Sequence, residues 1–238
     1  PPEMVAELAQ LTTVAYGVWA EARAQNDFAK FRPFLEKIVA LRQKYAALFA
    51  PYDHIYDPLL DDFEPGLKTA DVKAIFAALR PQQVALIQAI AARPQVDDSF
   101  LRLDFDEKKQ WDFGAEVITR FGYDWKKGRQ DKAVHPFCTS FGVNDVRITT
   151  RVILNFLNSC LFGTMHECGH ALYDMGINPA YERNVLSGGA SMAVHESQSR
   201  MWENLVGRSL PFWQHFYPRL QEYFPAQLGN VSLELFYK

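Results

Sequence analysis

The sequence predicts a mainly α-helical protein with one short β element set directly before its most informative helix. Apolar residues recur at helical spacing through most of the first 121 positions. Only one stretch, 143–152, is β-branched and alternating. No internal repeat or low-complexity linker interrupts the chain. The 238 residues suit a single region with a substantial core, a helical wall over 1–122 followed by a second half over 123–238. Hydrophobic residues make up 48% and charged residues 22%, an ordinary globular balance, and the net charge of −3 argues against a nucleic-acid partner.

Taken in order, residues 4–24 place Val5, Leu8, Leu11, Val14, Ala15 and Val18 on one helical face. Asp27 can cap a second helix, with Pro33 near its first turn and Phe34, Ile38, Leu41, Tyr45 and Leu48 following in phase. The segment 51–66 is acidic and rich in turn formers. Its Asp57, Asp61 and Asp62 lack the glycine and terminal glutamate of a calcium loop. Thr69 is placed to cap a helix running to Leu79, which Pro81 restarts or kinks toward Ala92. Trp111, Ala115, Ile118 and Phe121 mark a further helix closed by Gly122.

The polar run 126–132 reads as a solvated loop. In 143–152, Val146 and Ile148 face one way and Asp145, Arg147 and Thr149 the other. Such a strand could offer its edge to an extended peptide, or form a hairpin that merely packs. No apolar run approaches the ~20 residues that span a bilayer, and no signal pattern opens the chain, so no membrane partner is expected. Cys138, Cys160 and Cys168 are an odd number without a C-x-x-C pair, which fits reduced thiols and a cytoplasmic setting. The Pro1-Pro2 start and the uncapped end at Lys238 suggest a piece of a longer chain.

The stretch 165–176 organises the rest. On a helix His166 and His170 lie one turn apart on one face, where two imidazoles can reach one metal ion. Glu167 points about 100° away and can reach a metal-bound water without taking a ligand position. This is the H-E-x-x-H arrangement of zinc metalloproteases. Leu161, Phe162, Met165, Ala171, Leu172 and Met175 make the helix largely buried, with Gly176 as its natural stop. Polar groups on a buried helix need satisfaction, and a metal supplies it.

A second helix, 191–206 stopped by Gly207, offers the third ligand. Glu196 lies 26 positions after His170, with a loop between long enough to bring this helix back against the first. Two histidines and a glutamate with one open position form a catalytic zinc set, so Glu196 is preferred. His195 is the competing ligand, otherwise a neighbour of the ligands or a groove residue, since adjacent residues diverge on a helix. Glu203 reads as a solvated or paired surface charge.

The chain resembles the carboxypeptidase Taq family through His135-Pro136-Phe137, Asp145-Val146-Arg147-Ile148-Thr149, His166-Glu167-Cys168-Gly169-His170 and His195-Glu196-Ser197-Gln198. The likeness also runs through 56–66 and 199–204. It implies a helical, groove-shaped metallopeptidase, a homodimer, Zn²⁺ or Co²⁺ on His166, His170 and Glu196, and release of residues from peptide C-termini. It implies that His135, Asp145, Arg147 and Thr149 shape the groove. Family members are about twice as long, and their I-R-x-x-A-D and G-x-x-Q-D-x-H-W motifs do not occur here. The expected mechanism is attack by a metal-activated water with Glu167 as general base, and Arg147 is one candidate for binding the terminal carboxylate. The alternatives are an endo-oligopeptidase of the same superfamily and a non-catalytic, metal-stapled peptide-binding protein.

Overall fold

In the computed structural model, which describes every residue from Pro1 to Lys238, helix α1 spans Pro2–Gln25. Asn26 closes it in the left-handed conformation (φ 53°), its N–H returning to the carbonyls of Ala22 and Arg23. Asp27 then caps α2 (Phe28–Ala47) by accepting the Lys30 N–H, as the sequence predicts. Ala15, Ala22, Leu41 and Ala46 are the buried residues of this hairpin. Pro33 lies a turn deeper than expected, inside α2. In the acidic segment, α3 covers Asp57–Asp61. Buried Asp57 accepts the backbone N–H groups of His54 and Thr69, so it ties this segment to the next helix.

That helix, α4 (Thr69–Ala91), corrects two expectations. It does not break at Pro81, because the carbonyl freed by the proline's missing N–H is on an exposed helix where water can satisfy it. Unbroken, it is long and apolar enough, by length and composition alone, to cross a membrane, and of its residues only Thr69 at the N-terminal end is buried.

The contacts divide the chain into two compact units, Pro1–Ala92 and Arg93–Lys238. The second unit includes α5 (Glu107–Phe121), which packs against α6 (Leu157–Met175). Asp106 caps α5, and Gly122 ends it at φ 106°.

Between these helices lies a three-stranded sheet, β1 (Gln130–Lys132), β2 (Cys138–Gly142) and β3 (Asp145–Thr150), in the order β1-β3-β2. β1 runs parallel to β3 and β2 antiparallel to it. The run 126–132 is thus not simply a solvated loop. Lys127 and Arg129 accept the N–H groups of Val146 and Ile148, and Gly128 lies so close to β3 that a Cβ there would stand 2.1 Å from the Val146 carbonyl oxygen. β3 is also not an edge strand, since both its sides are paired.

After α6 come α7 (Met192–Arg200), a π-helical turn (Met201–Val206), α8 (Leu210–Tyr223), α9 (Pro225–Leu228) and α10 (Leu233–Tyr237). Residues of α5, α6 and α8 form the main core, including Phe113, Val117, Leu161, Met165, Trp213 and Phe216. A second cluster joins Val146 and Ile148 of the sheet to Cys168 and Ala171 of α6. Held on both flanks, α6 keeps its histidine face directed into a groove.

Candidate active site

The groove of about 790 Å³ is lined by His135–Ser140 of the β2 arm, His166, Glu167, His170 and Asp174 of α6, and Met192, His195, Glu196, Arg200 and Glu203 beyond. Gly169 allows α7 to approach α6. A Cβ at this position would stand 2.6 Å from the Ser199 Cα and 2.8 Å from the Gln198 carbonyl oxygen. That contact is with backbone, so no side chain can turn aside to relieve it. The close approach carries Glu196 to the histidines.

His166 Nε2 and His170 Nε2 stand 3.5 and 3.3 Å from the same oxygen, Glu196 Oε2. One ligand atom from each of the three residues lies within 4.8 Å of the others. Tetrahedral ligands at ~2.0–2.1 Å from zinc are about 3.3 Å apart, so this donor set fits such an ion. The second nitrogen of each ring is also held. His166 Nδ1 is 3.0 Å from Glu203 Oε2, and His170 Nδ1 is 2.6 Å from His195 Nδ1. His195 Nε2 in turn stands 3.0 Å from Asp174 Oδ1. If Asp174 accepts the His195 Nε2–H, the His195 Nδ1 lone pair accepts the His170 Nδ1–H. Glu203 likewise accepts the His166 Nδ1–H. Both rings then aim an Nε2 lone pair at one point.

The electrostatics agree with this arrangement. Burial, then the positive fields of His195 and His166, pull His170 down to about 4, so its ring is neutral at pH 7. The hydrogen bond to Asp174 raises His195. Burial acts to raise Glu196, but the hydrogen bond from Arg200, nearby His166 and the Ser199 hydroxyl outweigh it and hold the carboxyl below its usual range. Glu167, only 6% exposed, goes the other way. Burial, with the Glu196 and Glu203 charges adding, pushes it up to about 7. Two carboxyls in one groove are thereby shifted in opposite directions, Glu196 down and Glu167 up.

A family model described as the carboxypeptidase Taq (M32) metallopeptidase matches residues 1–238. The chain belongs to this family. It is 42% identical to thermostable carboxypeptidase 1 of Thermus thermophilus, over all of this chain and 48% of that one. It is 38% identical to carboxypeptidase 1 of Bacillus subtilis, over 95% of this chain and 45% of the other. A crystal structure named BsuCP superposes with a TM-score of 0.97 at 37% identity, and an M32 carboxypeptidase from Deinococcus radiodurans R1 with 0.88 at 41%. Each match covers all of this chain and 48% of the solved one. The chain thus spans about half the length of its M32 relatives.

Within this M32 site, the structure brings together His166, Glu167, His170, His195 and Glu196, with His135 on the groove wall. It does not bring Asp145, Arg147 or Thr149 to the groove. Asp145 and Arg147 form a two-pronged ion pair (2.7 and 2.8 Å) on an exposed face, with Arg147 lying over Phe141. Arg147 is thus engaged by Asp145 and Phe141 and does not line the groove. Thr149 is buried, where its hydroxyl accepts the Phe137 N–H at 2.9 Å and so fixes the His135-Pro136-Phe137 arm.

His195 stands outside the three-residue donor set, with Nδ1 against His170 and Nε2 against Asp174. Glu203, expected at the surface, is largely buried and collects His166, Arg200 and Arg208. Asp174 was not singled out from the sequence, although it lies four residues after His170, one turn along the same face. Gly176 follows α6 as expected, but in right-handed backbone geometry (φ −83°).

Proposed function

We propose that the chain carries the metal half of a metallocarboxypeptidase that removes residues from peptide C-termini, with His166, His170 and Glu196 holding Zn²⁺ or Co²⁺. The observation that carries this reading is the convergence of two imidazole Nε2 atoms on one Glu196 oxygen, beside a buried glutamate poised near neutrality. Membership of the M32 family and its likeness to the two bacterial carboxypeptidases supply the direction of cleavage.

When bound, the ion would supply Lewis acidity to the scissile carbonyl and a more acidic water. Glu167 accepts the proton from the attacking water and delivers it to the leaving amine. A cation beside it would draw its carboxyl below the value of about 7 that burial sets, favouring the ionised base at neutral pH. Glu203 and the Asp174–His195 pair keep both imidazoles in the metal-binding tautomer throughout. A homodimer and a reducing, cytoplasmic setting belong to the same reading, the latter supported by three unpaired cysteines.

The test uses full-length protein, metal, and peptides that differ only in ending as free acid or amide. Stepwise trimming of the free acid alone supports a carboxypeptidase. Equal cleavage of both marks an endopeptidase. Binding of metal and peptide without cleavage of either marks a non-catalytic module.

A further inference from the structure

We propose that Arg200 is a positioning residue: it clasps Glu196 to Glu203, so that Glu196 meets the metal through one oxygen and a coordination position stays open for water. This rests on the metallopeptidase reading above and adds to it what holds the acidic ligand in place.

Glu196, Arg200 and Glu203 are spaced i, i+4 and i+7, which sets them along one side of α7 and the π-helical turn that follows it. Arg200 Nε donates to Glu196 Oε1 at 2.8 Å, and Arg200 Nη1 donates to Glu203 Oε2 at 3.3 Å. One guanidinium therefore spans two carboxylates. Arg129 and Arg147 bind in another way, each setting Nε and Nη2 against both oxygens of a single aspartate, Asp131 and Asp145. A planar guanidinium with donors fixed on different sides can bridge in this manner, whereas a single ammonium is one point charge on a flexible stem.

Both carboxylates so joined lead to the metal position. Glu196 turns its other oxygen, Oε2, to 3.5 Å from His166 Nε2 and 3.3 Å from His170 Nε2. Glu203 Oε2 also meets His166 Nδ1 at 3.0 Å. The series Glu196–Arg200–Glu203–His166 thus runs from one ligand back to another. Glu203 is a firm anchor for it, being only 12% exposed and taking Arg208 Nη2 on its second oxygen at 3.2 Å.

Arg200 itself is half-exposed on the groove wall. An exposed i, i+4 ion pair contributes little to stability, so the value of this one lies in where it points the ligand. With Oε1 held by the guanidinium, Oε2 is the oxygen left for an ion. The buried Ser199 hydroxyl, 2.7 Å from the Glu196 carbonyl oxygen and 3.1 Å from Oε2, steadies the same orientation. Without Arg200, Oε1 is free to swing toward the ion as well. A two-oxygen grip would then fill the position that a catalytic site keeps open.

The test compares full-length wild type with Arg200→Gln and Arg200→Lys. Zinc affinity is read by competition titration, the ligand field by the visible spectrum of the Co²⁺-loaded proteins, and turnover at saturating metal. Arg200→Gln is expected to lower zinc affinity about 10–100-fold and to change the Co²⁺ spectrum. Its kcat should fall about tenfold or more with KM within about threefold of wild type. Arg200→Lys keeps the charge without the bridge and is expected to recover only part of each loss. An unchanged spectrum and affinity in Arg200→Gln, or full recovery in Arg200→Lys, would overturn the proposal. So would a raised KM with kcat and spectrum unchanged, which would make Arg200 a substrate contact instead. Wild type that binds zinc with no turnover, but loses affinity and changes spectrum in Arg200→Gln, would sink the peptidase reading and leave the clasp standing. Wild type that takes up no metal would sink both.

Discussion

Residues 1–92 and 93–238 solve different problems with similar amounts of helix. In the first unit the apolar residues of α4 stay on the surface: Ile75, Phe76, Leu79, Leu86, Ile87 and Ile90 are all exposed. Its buried set is small, chiefly alanines and Leu41 where α1 meets α2. The second unit holds the buried aromatics, among them Phe105, Phe113, Trp213, Phe216 and Phe224, and packs most of them in one core with α6. The lesson is that periodicity makes helices, whereas a site needs packing. The histidines are held because α6 is gripped on two flanks and Gly169 lets α7 touch its backbone.

The contrast predicts unequal responses to mutation. Phe113→Ala empties a fully buried position packed against Phe216 and Tyr223, and should cost about 3–5 kcal/mol in denaturant unfolding. A loss below about 1 kcal/mol would mean that the core is looser than described.

Glu167 should give the next largest effect, in chelator-treated protein. Its folded value of about 7 lies above the ordinary 4.5. Between these values the unfolded chain is ionised while the folded one stays protonated, so wild-type stability falls as pH rises through the window. Glu167→Gln lacks this loss. The variant should match wild type in relative terms below pH 4.5 and gain up to about 3 kcal/mol on it by pH 8. A gap independent of pH would contradict the buried, raised carboxyl.

Glu203→Gln should lower zinc affinity about 10–100-fold by competition titration, because His166 loses the charge that holds its tautomer. Smallest of all is Phe76→Ala on exposed α4, expected within about 0.5 kcal/mol of wild type. A larger loss would show that this face is covered.

Much of this was legible in the sequence where one residue's neighbours along the chain decide its role. The caps at Asp27 and Gly122, the helix bearing His166 and His170, and the spacing to Glu196 all follow from local chemistry and the 3.6-residue period. What stayed hidden depended on tertiary contact. β1 exists because β3 pairs with it, and only Gly128 hinted at that close approach. Glu203 is brought under His166 by a helix that changes from α to π at Met201, a change of winding with no periodic signature. Pro33 and Pro81 could sit inside helices because neither interrupts a buried ladder. The alternation in 143–152 gave the right facing for Val146 and Ile148 but could not tell a central strand from an edge.

In the proposed site three side chains hold one ion while a fourth, Glu167, moves the proton. Metal content and peptide turnover, measured together in full-length Glu167→Gln and Glu196→Gln proteins, separate the two roles. One ion per chain is expected in the first, with turnover lowered by about a thousandfold or more. Loss of both ion and turnover is expected in the second. Turnover within about tenfold of wild type in Glu167→Gln, or full metal retention in Glu196→Gln, would contradict these roles.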